Sequence, residues 1–266
     1  MLSGRAAMIL LAAVAVAGCG QSKKQEIAEF TKADAAVAAP PVPTHYELDT
    51  PDAKVRLILP SGIDRYGELH AKLYADGRQE LLDFVKTAAQ DRARFAAKGK
   101  AEPTPYEHRV AWTITAISPH LISLRAAWYD DTGGVHPNHG TKILLWDRQR
   151  NVAVLLSDLI KPGADTSLQD AALCEAVTRA KAARMGHTDP TSWRCPKWSD
   201  GRAVLIPSAT PYRIGGMMFL FDPYVIGAYA EGDYEVLMPL SEFQPVLAEG
   251  WAGDFTGSPS PAFKSK

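Results

Sequence analysis

Two neighbouring runs decide the fold class, HRVAWTITAI at residues 108–117 and LISLRAAWY at residues 121–129. Both are rich in β-branched and aromatic residues with a period of two, and Ser-Pro separates them, which predicts two antiparallel strands. Two further runs, at residues 141–146 and 152–156, follow Gly-Gly and Asp-Arg-Gln-Arg-Asn turn signals. The four runs together predict an antiparallel meander.

Helical periodicity flanks this meander on both sides. A strand at residues 55–59 precedes a helix over residues 78–95, and a second helix begins at Thr166 or Ser167 and runs toward Met185. Strands at residues 217–221 and 234–238 precede a short helix that begins at Ser241. Helices and strands in blocks, without regular alternation, indicate an α+β fold. We expect antiparallel sheets with the two main helices packed on one side, and room for two small subdomains.

The first residues predict export. Arg5 precedes an apolar run at residues 6–17, which is too short for a bilayer that needs about 20 residues. The run ends in Val-Ala-Gly before Cys19, which resembles a lipobox, so we predict a lipoprotein signal peptide at residues 1–18 and lipidation of Cys19. An ordinary secretory signal is the alternative. Gly20 and Gln21 lack the aspartate of an inner-membrane retention signal, which favours the outer membrane, facing the periplasm.

The rest of the chain divides by composition. Residues 19–44 are rich in Ala and Pro and predict a lipidated tether, residues 45–251 predict the folded domain, and residues 252–266, with Gly-Ser-Pro-Ser-Pro, predict an unordered tail. Without residues 1–18 the chain carries 28 basic and 30 acidic side chains. Such a balance gives no reason to expect a nucleic-acid partner.

Two cysteines remain once Cys19 is used. Cys174 and Cys195 form an even pair in an oxidising compartment, which predicts a disulfide whose loop closure is worth about 3 kcal/mol. Two free buried thiols or a metal pair are the alternatives. No ligands of zinc spacing accompany the cysteines, so we predict neither a metal nor a cofactor.

Two segments carry a family resemblance. The first reads YDDTGGVHPNHG at residues 129–140, and the second reads FLFDPYVIGAYAEGDYEVLMPL at residues 219–240. Together they resemble the RsiV-like extracellular domain family of lysozyme-sensing anti-sigma factors, also found beside polysaccharide deacetylase domains. The resemblance covers residues 55–247 and implies an α+β envelope domain. The sensor's sigma-binding helix and transmembrane span, and the deacetylase domain, have no counterpart in the sequence. The resemblance therefore supports ligand binding more than catalysis.

The first motif predicts a presented loop. Two glycines allow positive φ at a sharp reversal, and the following proline stiffens the chain. A demanding β-turn without a ligand is the alternative. Tyrosines in the second motif suit contacts with a protein or a glycan, and we expect Tyr224 to pack inward and Tyr229 to be exposed. The candidate ligand-binding residues are Gly133, Gly134, His136, Pro137, Asn138, His139 and Tyr229.

Catalysis has no motif to support it. The sequence contains no Gly-x-Ser-x-Gly, Ser-x-x-Lys or His-Glu-x-x-His pattern and no phosphate-binding glycine loop. A hydrolytic envelope enzyme that uses Asp131, His136 and His139 as acid and base is one alternative, and a structural lipoprotein is another. The favoured interpretation is a lipid-anchored envelope domain that binds a protein or a peptidoglycan-related ligand, with a lysozyme-type muramidase as the first candidate.

Overall fold

A computed structural model describes residues 41–100, 104–186 and 193–266 of the chain. The signal peptide, Cys19 and nearly all of the tether, predicted from residues 1–44, lie outside the described residues. Within those ranges no helix combines the length and the apolar character needed to cross a membrane. The residues from Val42 to Lys266 form one unit, and the fold below is that of this unit.

The predicted meander is part of a six-stranded sheet with the order β1-β2-β3-β4-β5-β6. Its strands β2 and β3 are parallel because the long helix α1 (Gly67–Ala97) connects them, and every other neighbouring pair is antiparallel. The strands are β1 (His45–Asp49), β2 (Ala53–Ile58), β3 (Tyr106–Ile117), β4 (Leu121–Asp131), β5 (Asn138–Asp147) and β6 (Val152–Val154).

A second, antiparallel sheet has the order β7-β8-β9. The helix α2 (Ser167–Met185) precedes it and the short helix α3 (Leu240–Phe243) follows it. The strands are β7 (Arg202–Pro207), β8 (Ile214–Phe221) and β9 (Tyr234–Pro239), and every residue of β8 is buried. Helices and strands thus occur in blocks around two sheets, and the α+β class is confirmed.

The two main helices belong to two different cores. The strand β4 lies between these cores. Successive side chains of a strand point to opposite faces, so neighbouring β4 residues enter different cores. Ile122 and Leu124 pack in the cluster that includes α1, whereas Leu121 packs in the cluster that includes α2 and the three-stranded sheet. The prediction that both helices pack on one side is therefore wrong. Periodicity reveals the apolar stripe of a helix but not the sheet that covers it.

The C-terminal segment is also packed, contrary to the prediction of an unordered tail. Phe255 is buried, Ser260 donates a backbone hydrogen bond to Pro207, and Lys266 exchanges two with Glu235 at 2.9 Å. The edges of the three-stranded sheet supply these partners, which a Gly-Ser-Pro composition does not reveal. The folded unit consequently extends past residue 251.

The two cysteines form a disulfide. Cys174 lies in α2 and its partner Cys195 lies 21 residues later, with 5.0 Å between the two Cα atoms. The bond joins α2 to the segment that enters β7. A closed loop of this length stabilises a fold by about 3 kcal/mol relative to the open chain.

Candidate functional site

The first motif forms the hairpin loop between β4 and β5. The two strands pair as far as Asp130 and Asn138, and the backbone reverses between them. Gly133 adopts a φ of 74°, and its N–H donates a hydrogen bond of 3.0 Å to the Asp131 carboxylate. Gly134 does not adopt positive φ, so the expectation holds for only one of the two glycines. The loop is thus a turn fixed by Gly133 and Asp131.

The tip of this loop projects into solvent. Val135 is fully exposed, and His136 and Asn138 are also exposed. Pro137 and His139 are half-buried because they face another part of the chain. An exposed valine next to an exposed histidine at a loop tip contributes nothing to the core, which makes this tip available to a ligand.

Tyr229 brings the two motifs together. Its hydroxyl donates a hydrogen bond of 2.9 Å to the Pro137 carbonyl. The His136 ring stacks on the Tyr229 ring with 4.1 Å between centroids, and the His139 ring meets it edge-on at 5.6 Å. Four residues proposed from sequence therefore share one contact group, although they come from segments about 90 residues apart.

Tyr224 continues this group at the surface. Its ring lies 5.6 Å from the Tyr229 ring, the residue is 67% exposed, and its backbone has a φ of 70°. The expectation that Tyr224 packs inward and Tyr229 is exposed is reversed, because Tyr229 is held by the hairpin. We call the three rings of His136, Tyr229 and Tyr224 the aromatic surface; the exposed Val135 and Val225 flank it in sequence.

A polar contact fixes the base of the aromatic surface. Thr141 donates a hydrogen bond of 2.8 Å to the Asp222 carboxylate, and Arg202 forms an ion pair with the same carboxylate. Arg202 also donates to the Thr141 carbonyl at 2.7 Å. The close approach of Asp222 to β5 requires a glycine at position 140. A Cβ atom on Gly140 would lie 2.7 Å from both Asp222 and Trp128. The second motif is therefore held against β5.

A buried ion pair fixes the other end of the segment that carries Tyr224 and Tyr229. Lys181 of α2 donates to the Glu231 carboxylate at 2.6 Å and to the Ile226 carbonyl at 2.8 Å. The hydrogen bond from Lys181 lowers the pKa of Glu231 to about 2, so this carboxylate is ionised at neutral pH. Burial raises the pKa of the neighbouring Tyr234 to about 12. The tyrosine segment is thus anchored to α2.

The structure does not bring Asp131, His136 and His139 together as the acid–base group that a hydrolase would need. Asp131 caps the turn at Gly133, and in the described part of the chain it makes no hydrogen bond with His136 or His139. His139 instead lies 3.3 Å from Asp233, close enough for an ion pair when its imidazole is protonated. Among the residues that the structure describes, no group of three His, Cys, Asp or Glu side chains could hold a metal ion.

A charged cluster that the sequence did not predict lies on the face of the six-stranded sheet that α1 covers. His108 of β3 is buried and contacts Asp130 with Nδ1 and Glu80 with Nε2, the latter at 2.9 Å. Lys142 pairs with the same Glu80 carboxylate. Burial alone would lower the pKa of His108, but the hydrogen bonds to Asp130 and Glu80 outweigh burial and raise it to about 9. The only signal in the sequence was a histidine at a core position of an alternating strand.

This cluster gives a pH-dependent stability. The folded-state pKa of His108, about 9, exceeds its ordinary value of 6.5, so its contribution is complete below pH 6.5 and is lost as pH rises through 9. We expect the free energy of unfolding to fall by about 3 kcal/mol over that window. Chemical denaturation at a series of pH values measures it. In His108→Gln this part of the slope should vanish, and an equal slope in both proteins would contradict the account.

Comparisons with known proteins agree with the fold. Residues 157–241 match the model of the family described as protein of unknown function (DUF3298). A crystal structure of a DUF3298 family protein from Pseudomonas aeruginosa PAO1 is similar with a TM-score of 0.55 at 16% identity, covering 82% of this chain and 98% of that chain. One from Bacteroides fragilis NCTC 9343 has a TM-score of 0.50 at 15% identity, with coverage of 79% and 96%. A search of curated proteins found no match. At these identities the likeness shows the fold alone.

Proposed function

We propose that the chain is a lipid-anchored cell-envelope domain whose aromatic surface binds a protein or a peptidoglycan-related ligand. The observation that carries this proposal is the meeting of two distant segments in one group of three rings, of which Tyr224 is exposed. Aromatic rings on a fixed backbone offer a large contact area and lose few torsions on binding.

The backbone of Tyr224 supports a functional role. A left-handed conformation costs a residue with a Cβ atom roughly 1–2 kcal/mol. Tyr224 is 67% exposed, so burial of its side chain does not offset that cost. Strained residues are frequent at ligand-binding sites, where position matters more than stability. Tyr212 shares the exposure and the positive φ, and Tyr224 differs from it by the contact of its ring with Tyr229. The strain together with this contact supports a ligand at the Tyr224 ring.

The envelope location rests on the sequence. The lipobox-like end of the apolar run supports lipid on Cys19, and the Ala- and Pro-rich tether would hold the domain roughly 25 Å from the lipid surface. A disulfide between Cys174 and Cys195 suits an oxidising compartment. The resemblance to lysozyme-sensing domains makes a lysozyme-type muramidase the first protein ligand to test.

Removal of the central ring tests the proposal. We expect the full chain to bind a chicken-type lysozyme in calorimetric titration or purified peptidoglycan in co-sedimentation. Tyr229→Ala should weaken that binding at least about tenfold, because the ring supports both His136 and Tyr224. Tyr229→Phe keeps the ring and removes only the hydroxyl, with its hydrogen bond to the Pro137 carbonyl and its 3.5 Å contact with His139, so it should lose less affinity.

Unfolding curves of both variants must remain cooperative for the comparison to count. Absence of binding to either probe would contradict the proposed function. Equal affinity of wild type and Tyr229→Ala would show that a ligand binds elsewhere.

A further inference from the structure

One face of the six-stranded sheet is covered by the second core around Leu121 but is exposed near the aromatic surface. Alternate residues of β2 are exposed, and strand register places Arg56 beside Arg109, Arg109 beside Tyr129, and Tyr129 beside His139. Directly paired residues project from the same face of a sheet. These four residues therefore form one row across β2, β3, β4 and β5, which we call the sheet band.

Contacts join the sheet band to the aromatic surface. The Arg109 guanidinium lies over the Tyr129 ring at 4.3 Å, and His139 meets the Tyr229 ring at 5.6 Å. The row from Arg56 to His139 is roughly 15 Å long, because neighbouring strands lie about 4.8 Å apart. Beyond His139 come the Tyr229 ring and then the Tyr224 ring, each 5.6 Å from the ring before it. The combined surface is therefore a continuous series of contacts from Arg56 to Tyr224.

We propose that this combined surface binds an extended glycan strand, with a sugar ring on the exposed Tyr224 ring and hydroxyl groups on the polar side chains that follow it along the sheet band. The inference rests on the proposed function and assigns its ligand to one chemical class. The apolar face of a pyranose ring packs on an aromatic ring, and each sugar hydroxyl both donates and accepts hydrogen bonds. Guanidinium and carboxylate groups side by side satisfy both roles.

The charges of this face favour an uncharged polymer. Neither a polyanion nor a strongly basic protein is complementary to a surface that carries both signs, since each would meet like charges. The small Ala111 and Ala127 are paired in the next row and leave the flank of the Arg109–Tyr129 pair accessible. The charged residues that the strands place on this face include Glu47, Asp49, Glu107 and Asp131 against Lys54, Arg56, Arg109 and Arg125. Asp233 adds a carboxylate beside His139.

Chain length tests the inference. The full chain is titrated with N-acetylglucosamine oligomers from the disaccharide to the hexasaccharide. We expect affinity to rise at least about tenfold along the series, because only long oligomers reach from Tyr224 to Arg109. Arg109→Gln and Tyr129→Ala should weaken hexasaccharide binding at least about fivefold and leave disaccharide binding unchanged.

The control is Arg78→Gln, which removes the guanidinium lying 5.4 Å over Tyr46 on the helix-covered face of the sheet. It should bind every oligomer as the wild type does. Affinity independent of length, no oligomer binding, or equal effects of Arg109→Gln and Arg78→Gln would overturn the glycan assignment. Lysozyme binding that is lost in Tyr229→Ala but kept in Arg109→Gln would overturn it too, while the proposed function would stand.

Discussion

Replacement of Lys181 by methionine is expected to lower the free energy of unfolding by about 3 kcal/mol and to abolish ligand binding at the aromatic surface. The Lys181 side chain is 6% exposed and Glu231 is 15% exposed, so the variant leaves a carboxylate that neither an ammonium nor water neutralises. The Ile226 carbonyl loses its donor as well. Chemical denaturation and titration of the same preparation measure the two effects.

Lys72→Met is the matched control, since Lys72 also pairs with a carboxylate, that of Asp76, but at an exposed helix surface. Its effect should stay below about 1 kcal/mol. Adding Glu231→Gln to Lys181→Met should restore part of the lost stability by removing the buried charge. A loss in Lys181→Met no larger than in Lys72→Met would contradict the anchoring role of the pair.

Gly140→Ala is expected to cost about 2 kcal/mol and to weaken binding at the aromatic surface. Its methyl group would lie 2.7 Å from the Asp222 carboxylate and 2.7 Å from the Trp128 ring. Relief requires Asp222 to move, which breaks its contacts with Thr141 and Arg202 and displaces the segment that carries Tyr224. Thermal unfolding gives the stability, and titration with the ligand gives the affinity.

Gly134→Ala provides the comparison within the same hairpin. Gly134 lacks positive φ, and the nearest heavy atom to a Cβ there lies 3.8 Å away. This variant should fold and bind as the wild type does. If both alanine variants behaved alike, close packing of β5 against Asp222 would not be what holds the two motifs together.

Local patterns predicted much of the fold. The meander and the start of α2 appear as expected, because alternation and helix-start residues are local signals. The helix α1 begins eleven residues before the predicted start at Arg78, since Leu69 and Leu73 already continue its apolar stripe. The strand β7 was missed because its central residues are all buried, which gives no alternation. The strand β1 was also missed, because it is short and lies at the edge of the sheet.

The candidate site was only partly predictable. The presented hairpin follows from Gly133 and Pro137, which act locally. The exposure of Tyr224 and the contacts of Tyr229 depend on residues about 90 positions away, and no periodicity encodes such a meeting. The cluster around His108 likewise joins a helix and three strands. Local sequence patterns therefore could not predict the contacts of Tyr229 or the cluster around His108, because both depend on residues that are distant in the sequence.

The most direct test of the account compares Tyr224→Asn with Tyr212→Asn. Both tyrosines are about 70% exposed and have positive φ, and asparagine tolerates that conformation better. Tyr212 lies in the β7–β8 turn, at the opposite end of β8 from Tyr224, roughly 25 Å away. The measurement is the affinity of each full-length variant for purified peptidoglycan and for lysozyme.

We predict that both variants are at least as stable as the wild type. Only Tyr224→Asn should lose affinity, by about tenfold or more, for whichever probe binds. Unchanged affinity in Tyr224→Asn, or an equal loss in Tyr212→Asn, would contradict the claim that the aromatic surface is the ligand-binding site.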